Sequence, residues 1–248
     1  GKVTITVKGG TCGKWQASVE YIKNILFPQL QRFVDKIDLK VLKRGYYPKG
    51  GGEVSVEIMP RFNQEESYEA LLEDLHLKVS KIKLIERNEI IQIKGAVNVS
   101  KELGEDEVAE RIERSIKGSL TDLEVPVNIR NEYVQTDSLG GDVVLWAMCE
   151  SEDIDNPTIL GASSLLERGK RSEEIGKEVV STLRKELDSK KPVDHYLADQ
   201  LIPFMGLLPG SVIEASEISN HSITNIYVVE KFMNVGFTIK DNRIEVRE

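Results

Sequence analysis

The order strand, helix, strand, tight turn, strand occurs at both ends of this 248-residue chain and constrains its fold more than any other feature. "VTITV" (3–7) alternates β-branched residues as a half-buried strand does. "ASVEYIKNILFPQLQRF" (17–33) sets Val19, Ile22, Ile25, Leu26 and Leu30 at helical spacing, with Pro28 marking a kink. "IDLKVL" (37–42) and "EVSVEI" (53–58) then read as strands on either side of a glycine-rich turn. The C-terminal copy runs through "SVIEASEI" (211–218), a helix "SITNIYVVEKFM" (222–233), "GFTIK" (236–240), a short Asp-Asn turn and "RIEVR" (243–247). Residue identity between the copies is slight, so the repeat is one of element order and length.

The middle of the chain has a different character. "EIIQIKGAVNVS" (89–100) reads as a strand and "EDEVAERIERSIKGSL" (105–120) as an amphipathic helix through Val108, Ile112 and Ile116. Two further strands, "VPVNIRNEYVQT" and "DVVLWAMCES", flank Gly140 and Gly141, which supply the turn. A helix "SEEIGKEVVSTLRKEL" follows, with Ser172 as its expected N-cap. This set is able to fold by itself, so residues 80–190 are expected to form a small α/β domain inserted into a discontinuous core of 1–79 and 191–248.

Composition excludes several classes. At 40% hydrophobic and 30% charged residues the chain reads as globular. No run of about 18 apolar residues exists to span a bilayer, and "GKVTITVKGG" lacks the apolar stretch of a secretory signal, which gives a cytoplasmic expectation with no membrane partner. Cys12 and Cys149 show neither CxxC spacing nor a disulfide framework. A net charge of −8 argues against non-specific duplex binding, but between Asp35 and Lys49 five cations (Lys36, Lys40, Lys43, Arg44, Lys49) face two acids. The strand that begins at once after Gly1, with no initiator Met, gives the expectation of a fragment.

Three stretches are candidates for chemistry. In "SNHSITNI", His221 immediately precedes the expected helix, whose unpaired N–H groups favour a phosphate and disfavour a protonated imidazole. A neutral His there can act as a nucleophile; alternatively Asn220 or Ser222 caps the helix and His221 is a surface residue. In "DHYLADQLIPFMGLLPG", Tyr196, Asp199 and Gln200 fall on one helix face, able to stack on a base, hold a ribose hydroxyl and read a base edge, or else to form a polar helix start. His195, beside Asp194, is a weaker catalytic candidate, and His76 has no distinguishing context. "RGYYPKGGGEVSVEI" (44–58) lacks the Lys-Ser/Thr ending of a phosphate-binding loop and joins strand to strand. Its glycines serve either a turn needing positive φ or a bare backbone that a substrate approaches.

Together "RGYYPKGGGEV", "HYLADQLIPFM" and "HSITNIYVVEKF", in this order, resemble RNA 3'-terminal phosphate cyclases, and "VKGGT" (7–11) and "LLERGKRSEEIGKEV" (165–179) resemble further segments of that family. The resemblance implies an α+β fold similar to enolpyruvyl-shikimate-phosphate synthase: β-α-β-α-β-β units about a pseudo-threefold axis, with a small α/β domain inserted before the last unit's helices. It implies that "HYLADQLIPFMGLL" opens the last unit, and that the first unit and the start of the second are missing, leaving this chain weak or inactive alone. It implies a reaction using ATP and a divalent metal (Mg or Mn) on RNA 3'-phosphate ends. His221 would take AMP and pass it to the RNA phosphate, and the 2'-hydroxyl would displace it. Tyr196, Asp199 and Gln200 would lie in the ATP pocket, and Arg44 and Lys49 would place RNA phosphate.

One departure is that "CGKWQAS" follows "GGT" where the family continues with an Asp and a Pro-rich turn, which puts contacts by Lys14 or Trp15 in question. Two other readings stand beside the enzyme. One is the non-catalytic cyclase-like branch that serves ribosome assembly and lacks the histidine, and the other is a bare RNA-binding module. The sequence assigns no oligomeric state, metal ligands or particular RNA.

Overall fold

A computed structural model of the chain describes residues 1–14, 16–62 and 67–247. Its elements are mixed α+β and gather into three sheets. The first sheet has the order β1 (Val3–Gly9), β3 (Gly52–Pro60), β2 (Val34–Lys43), all antiparallel, and the Tyr47–Pro48 peptide in its turn is cis. Between β1 and β2 the expected helix forms as α1 (Val19–Tyr21), a π-helical stretch Ile22–Leu26, α2 (Phe27–Leu30) and a 3-10 turn Gln31–Phe33. Pro28 has no N–H to donate, and the wide π turn just before it is how the helix passes that position.

Helix α3 (Tyr68–Lys78) leads to the two-residue strand β4 (Lys83–Leu84). Strands β5 (Ile90–Ser100), β6 (Val127–Val134), β7 (Gly141–Cys149) and β8 (Ile159–Leu165) make a sheet of order β6-β5-β7-β8, with β6 parallel to β5 and the other pairs antiparallel. Helices α4 (Val108–Ser119) and α5 (Ser172–Asp188) cover one face. Ile112, Ile116, Ile175, Val179 and Leu183 from those helices meet Ile93, Val97, Val143 and Leu145 in one buried apolar cluster. The α5 N-cap is Arg171, not Ser172, and the Glu174 side chain accepts from the Arg171 N–H at 3.3 Å.

The chain then continues through α6 (His195–Gly206), β9 (Val212–Glu214), α7 (Asn220–Phe232), β10 (Phe237–Lys240) and β11 (Arg243–Val246). The third sheet has the order β10-β11-β9-β4, with β4 parallel to β9. The path β4, α6, β9, α7, β10, β11 is thus a β-α-β-α-β-β unit with residues 85–194 intervening after its first strand. The N-terminal sheet matches it strand for strand: β1, β2 and β3 stand as β9, β10 and β11 do. A second apolar cluster joins the two parts, with Tyr21 and Ile25 packed beside Leu197, Leu201, Ile213 and Ile244. At Gly161 of β8 a Cβ would lie 2.5 Å from the Tyr21 ring, so the absence of a side chain there lets the α1 segment lie on the sheet.

Candidate active site

Asp194 caps α6, accepting from the N–H groups of Tyr196 at 3.0 Å and Leu197 at 2.9 Å. It also accepts the Tyr21 hydroxyl at 2.5 Å and the Gly161 N–H at 2.8 Å, so one buried carboxylate joins the α1 segment, strand β8 and α6. Burial, helped by the charge of Glu186, pushes its pKa up to about 6, and the bonds from Tyr21, Leu197 and Gly161 oppose that shift. Leu197, Ala198, Leu201, Ile202 and Met205 bury one face of α6, which leaves Tyr196, Asp199 and Gln200 half-buried on another. The Gln200 amide donates to the Asp199 carboxylate at 2.8 Å.

Helix α7 begins at Asn220, two residues earlier than the Ser222 start that the sequence suggests. Ser219 is its cap, accepting from the Ser222 N–H at 3.2 Å, so neither Asn220 nor Ser222 caps it and His221 is the second residue of the helix. His221 is exposed there. Pro203 lies inside α6 and has no N–H, which leaves the Asp199 carbonyl without its usual partner four residues on. Asn225 of α7 supplies that donor across the helix pair at 3.0 Å. The bond fixes α7 against α6 one turn beyond His221. Burial raises the pKa of Asp199, and the Gln200 bond and the nearby charges of His221 and His195 pull it back, so the two helix starts share one electrostatic site.

Tyr196 meets Tyr21 edge-on at 5.9 Å and stacks against His195 at 3.9 Å. His195 is not free for catalysis: it is bonded to the buried Glu186 at 2.6 Å. That bond and charge raise its pKa although burial opposes them. Tyr196 also lines a cleft of about 330 Å3 with Lys14, Ser163, Ser164 and Glu178. Lys14 is paired with Glu167 at 3.1 Å; Trp15 lies outside the described residues. Tyr196, Asp199, Gln200 and His221 are therefore brought together at the starts of α6 and α7.

Arg44 and Lys49 lie elsewhere, and they part company. Arg44 is 2% exposed; it donates to Glu20 at 2.5 Å and to Glu132 of β6 at 2.8 Å. The structure turns it inward, because two carboxylates and the nearby buried Asp142 compensate its charge where solvent cannot. Asp142 is pushed up to about 7 mainly by burial, against the pull of Arg44. Lys49 is exposed at the turn. What approaches the bare glycine backbone is the loop after β6: the Lys49 N–H donates to Ser138 at 3.1 Å, Lys43 pairs with Asp137 at 2.8 Å, and a Cβ on Gly51 would strike the Asp137 carboxylate. Gly50 and Gly51 have φ of 66° and 73°, so the turn reading of the glycines and the close-approach reading both apply. The partners Glu20, Tyr21, Asp142 and Asp194, all buried, and the part-exposed Glu132 carry no role in the sequence reading.

Among the described residues no group of three His, Cys, Asp or Glu side chains converges as a metal site. No described helix is long and apolar enough to cross a membrane.

Fold and helix pair define an α+β protein with a histidine at a helix start beside an aromatic, a carboxylate and an amide. The family model for RNA 3'-terminal phosphate cyclase matches residues 1–239, and the chain belongs to that family. It is 33% identical over 238 residues to the RNA 3'-terminal phosphate cyclase of Pyrococcus furiosus, covering 96% of this chain and 63% of that protein. It is 32% identical over 245 residues to the Archaeoglobus fulgidus protein of the same name, covering 98% and 66%, and 32% over 240 residues to that of Saccharolobus solfataricus, covering 96% and 64%. The chain thus spans under two-thirds of the length of these relatives.

Proposed function

We propose that the protein converts an RNA 3'-terminal phosphate to a 2',3'-cyclic phosphate at the expense of ATP, with His221 as the nucleophile. A ring nitrogen of His221 attacks the α-phosphorus of ATP and pyrophosphate leaves. An oxygen of the RNA 3'-phosphate then attacks the same phosphorus and releases the histidine, which leaves the RNA end activated by AMP. The neighbouring 2'-hydroxyl attacks the terminal RNA phosphorus, loses its proton and expels AMP. A phosphate monoester is a poor electrophile until AMP becomes its leaving group, and the vicinal hydroxyl reacts with high effective molarity. Tyr196, Asp199 and Gln200 hold the nucleoside of ATP, and Lys49 meets RNA phosphate. Arg44 acts as the buried support of the turn that carries Lys49. No step is assigned to a metal.

The observation that carries this reading is the exposed His221 at the second position of α7, held beside the Tyr196, Asp199 and Gln200 face by the bond from Asn225 to Asp199. Partial positive charge at the helix start stabilises the phosphate that the histidine attacks. The test is incubation of the protein with ATP labelled in its α-phosphate. An acid-labile protein adduct is expected, absent in His221→Ala; equal labelling of that variant, or none in either, overturns the assignment.

A further inference from the structure

A groove of about 370 Å3 lies between the α1 segment and the face of the β6-β5-β7 sheet that α4 and α5 leave uncovered. Its walls carry Lys23 and Asn24 from the helical side and Lys94, Asn128, Arg130 and Trp146 from the sheet. Register makes this an ordered set. Lys94 of β5 is the lateral partner of both Asn128 on β6 and Trp146 on β7, so amide, ammonium and indole form one row across three strands. In the next row Arg130 is paired with the small Ala96.

The charge balance of the groove is positive within an acidic protein. Glu20 at its floor is 4% exposed and is bonded to both Arg44 and Arg130. Glu132 is bonded to Arg44 and lies 3.9 Å from Arg130, so the two arginines and two glutamates compensate one another. Lys23 and Lys94 have no carboxylate at ion-pair distance among the described residues. Lys23 is exposed and Lys94 and Trp146 are half-buried.

We infer that this groove holds a single strand of RNA, with a base stacked on Trp146, phosphates on Lys23 and Lys94, and base edges within reach of Asn24 and Asn128. A cationic groove joined to an aromatic platform is the combination that single-stranded nucleic acid uses; an acidic peptide would leave the indole and the two amides without a role. The volume suits an unstacked nucleotide, not a duplex. The groove also adjoins the site described above through one helical segment, because Tyr21, between Glu20 and the groove residue Lys23, bonds to the cap of α6. The inference rests on the proposed RNA substrate: the groove would take the strand leading to the reacting 3' end.

The test is fluorescence anisotropy of a short fluorescein-labelled RNA ending in a 3'-phosphate, titrated with the protein in the absence of ATP at several salt concentrations. Lys23→Ala and Lys94→Ala are each expected to weaken binding about fivefold and to reduce the slope of log affinity against log salt by about 0.7. Trp146→Leu is expected to weaken binding about tenfold with the slope unchanged, and Trp146→Phe to restore most of it. Lys23 is exposed, so its variant reads the groove even where a change at Trp146 disturbs folding. No binding by the unaltered protein, variants that bind like it, or equal affinity for polyglutamate each overturn the inference. Because binding is read without ATP, failure of adenylate labelling would overturn the His221 assignment and leave the groove standing.

Discussion

The Tyr21 hydroxyl donates to the Asp194 carboxylate at 2.5 Å, linking residues 173 positions apart and fixing the N-terminal helical segment on the first turn of α6. Both side chains are buried, and Asp194 accepts three further bonds from Gly161, Tyr196 and Leu197. Tyr21→Phe removes one charge-assisted bond and leaves the ring in place. It is expected to lower stability by about 2 kcal/mol in urea denaturation. A change within error would show that the bond adds nothing net.

The same carboxyl predicts a pH dependence. Burial raises the Asp194 pKa from the ordinary 3.8 to about 6. A group raised on folding contributes stability that is complete below the unfolded value and is lost as pH rises through the folded one. The contribution of Asp194 should therefore fall between about pH 4 and pH 6, by about 3 kcal/mol at most. Glu173 works the other way: bonded to Arg111 and held down to about 2, it contributes above its ordinary value and loses that contribution as pH falls. Asp194→Asn should flatten the Asp194 component between pH 4 and 6. Urea midpoints of the two proteins across that window decide the matter, and parallel curves would refute it.

Arg44 and Lys49, five positions apart, should separate cleanly. Arg44→Ala leaves Glu20 and Glu132 short of their shared buried cation and is expected to cost roughly 3–5 kcal/mol. Lys49→Ala, on the surface, should change stability by less than about 0.5 kcal/mol. If Lys49 meets RNA phosphate, its loss reduces the salt slope of RNA binding by about 0.7. Denaturation and binding on the two variants check both halves.

How much was legible in the sequence follows from what each signal depends on. The alternating β-branched residues of β1 and the 3.6-residue apolar period of α4 and α5 made those elements legible, although β1, expected to be half-buried, is exposed along its whole length. Strand β8, "ILGASSL", escaped because its small residues are chosen for the approach of Tyr21 and Ile25 to Gly161, a long-range requirement. β4 escaped because two residues carry no period, and α3 because its leucines are interleaved with charges. At the candidate site, the spacing of Tyr196, Asp199 and Gln200 put them on one face. The start of α7 lies two residues before the expected one because Ser219, Asn220 and Ser222 are all competent caps. The basic run at 36–49 could not reveal that Arg44 faces inward, since its partners Glu20 and Glu132 lie 24 and 88 residues away.

The glycine turn allows a paired prediction. Gly50 has φ of 66°, and a Cβ there would meet only ordinary contacts near Gly9 and Gly10. Gly50→Ala should therefore show the left-handed backbone cost alone, about 1 kcal/mol. Gly51 has φ of 73° and its Cβ would also strike the Asp137 carboxylate, displacing it from Lys43. Gly51→Ala is expected to cost about 2 kcal/mol. Equal losses would mean that Asp137 swings aside freely and that its approach does not constrain the turn.

Asn225 offers the sharpest test of the helix pair. Its amide meets the Asp199 carbonyl that Pro203 leaves without a helical partner, one turn along from His221. If the bond only satisfied a polar group, Asn225→Ala would cost about 1 kcal/mol and do nothing else. If it also sets the register of His221 against Tyr196 and Asp199, the variant should slow formation of the labelled adenylate by about tenfold at saturating ATP, with a smaller change in the ATP concentration required. Asn225→Gln, which keeps the donor on a longer arm, should recover part of the stability but little of the rate. A rate unchanged in Asn225→Ala would show that α7 is held in place by its apolar contacts alone.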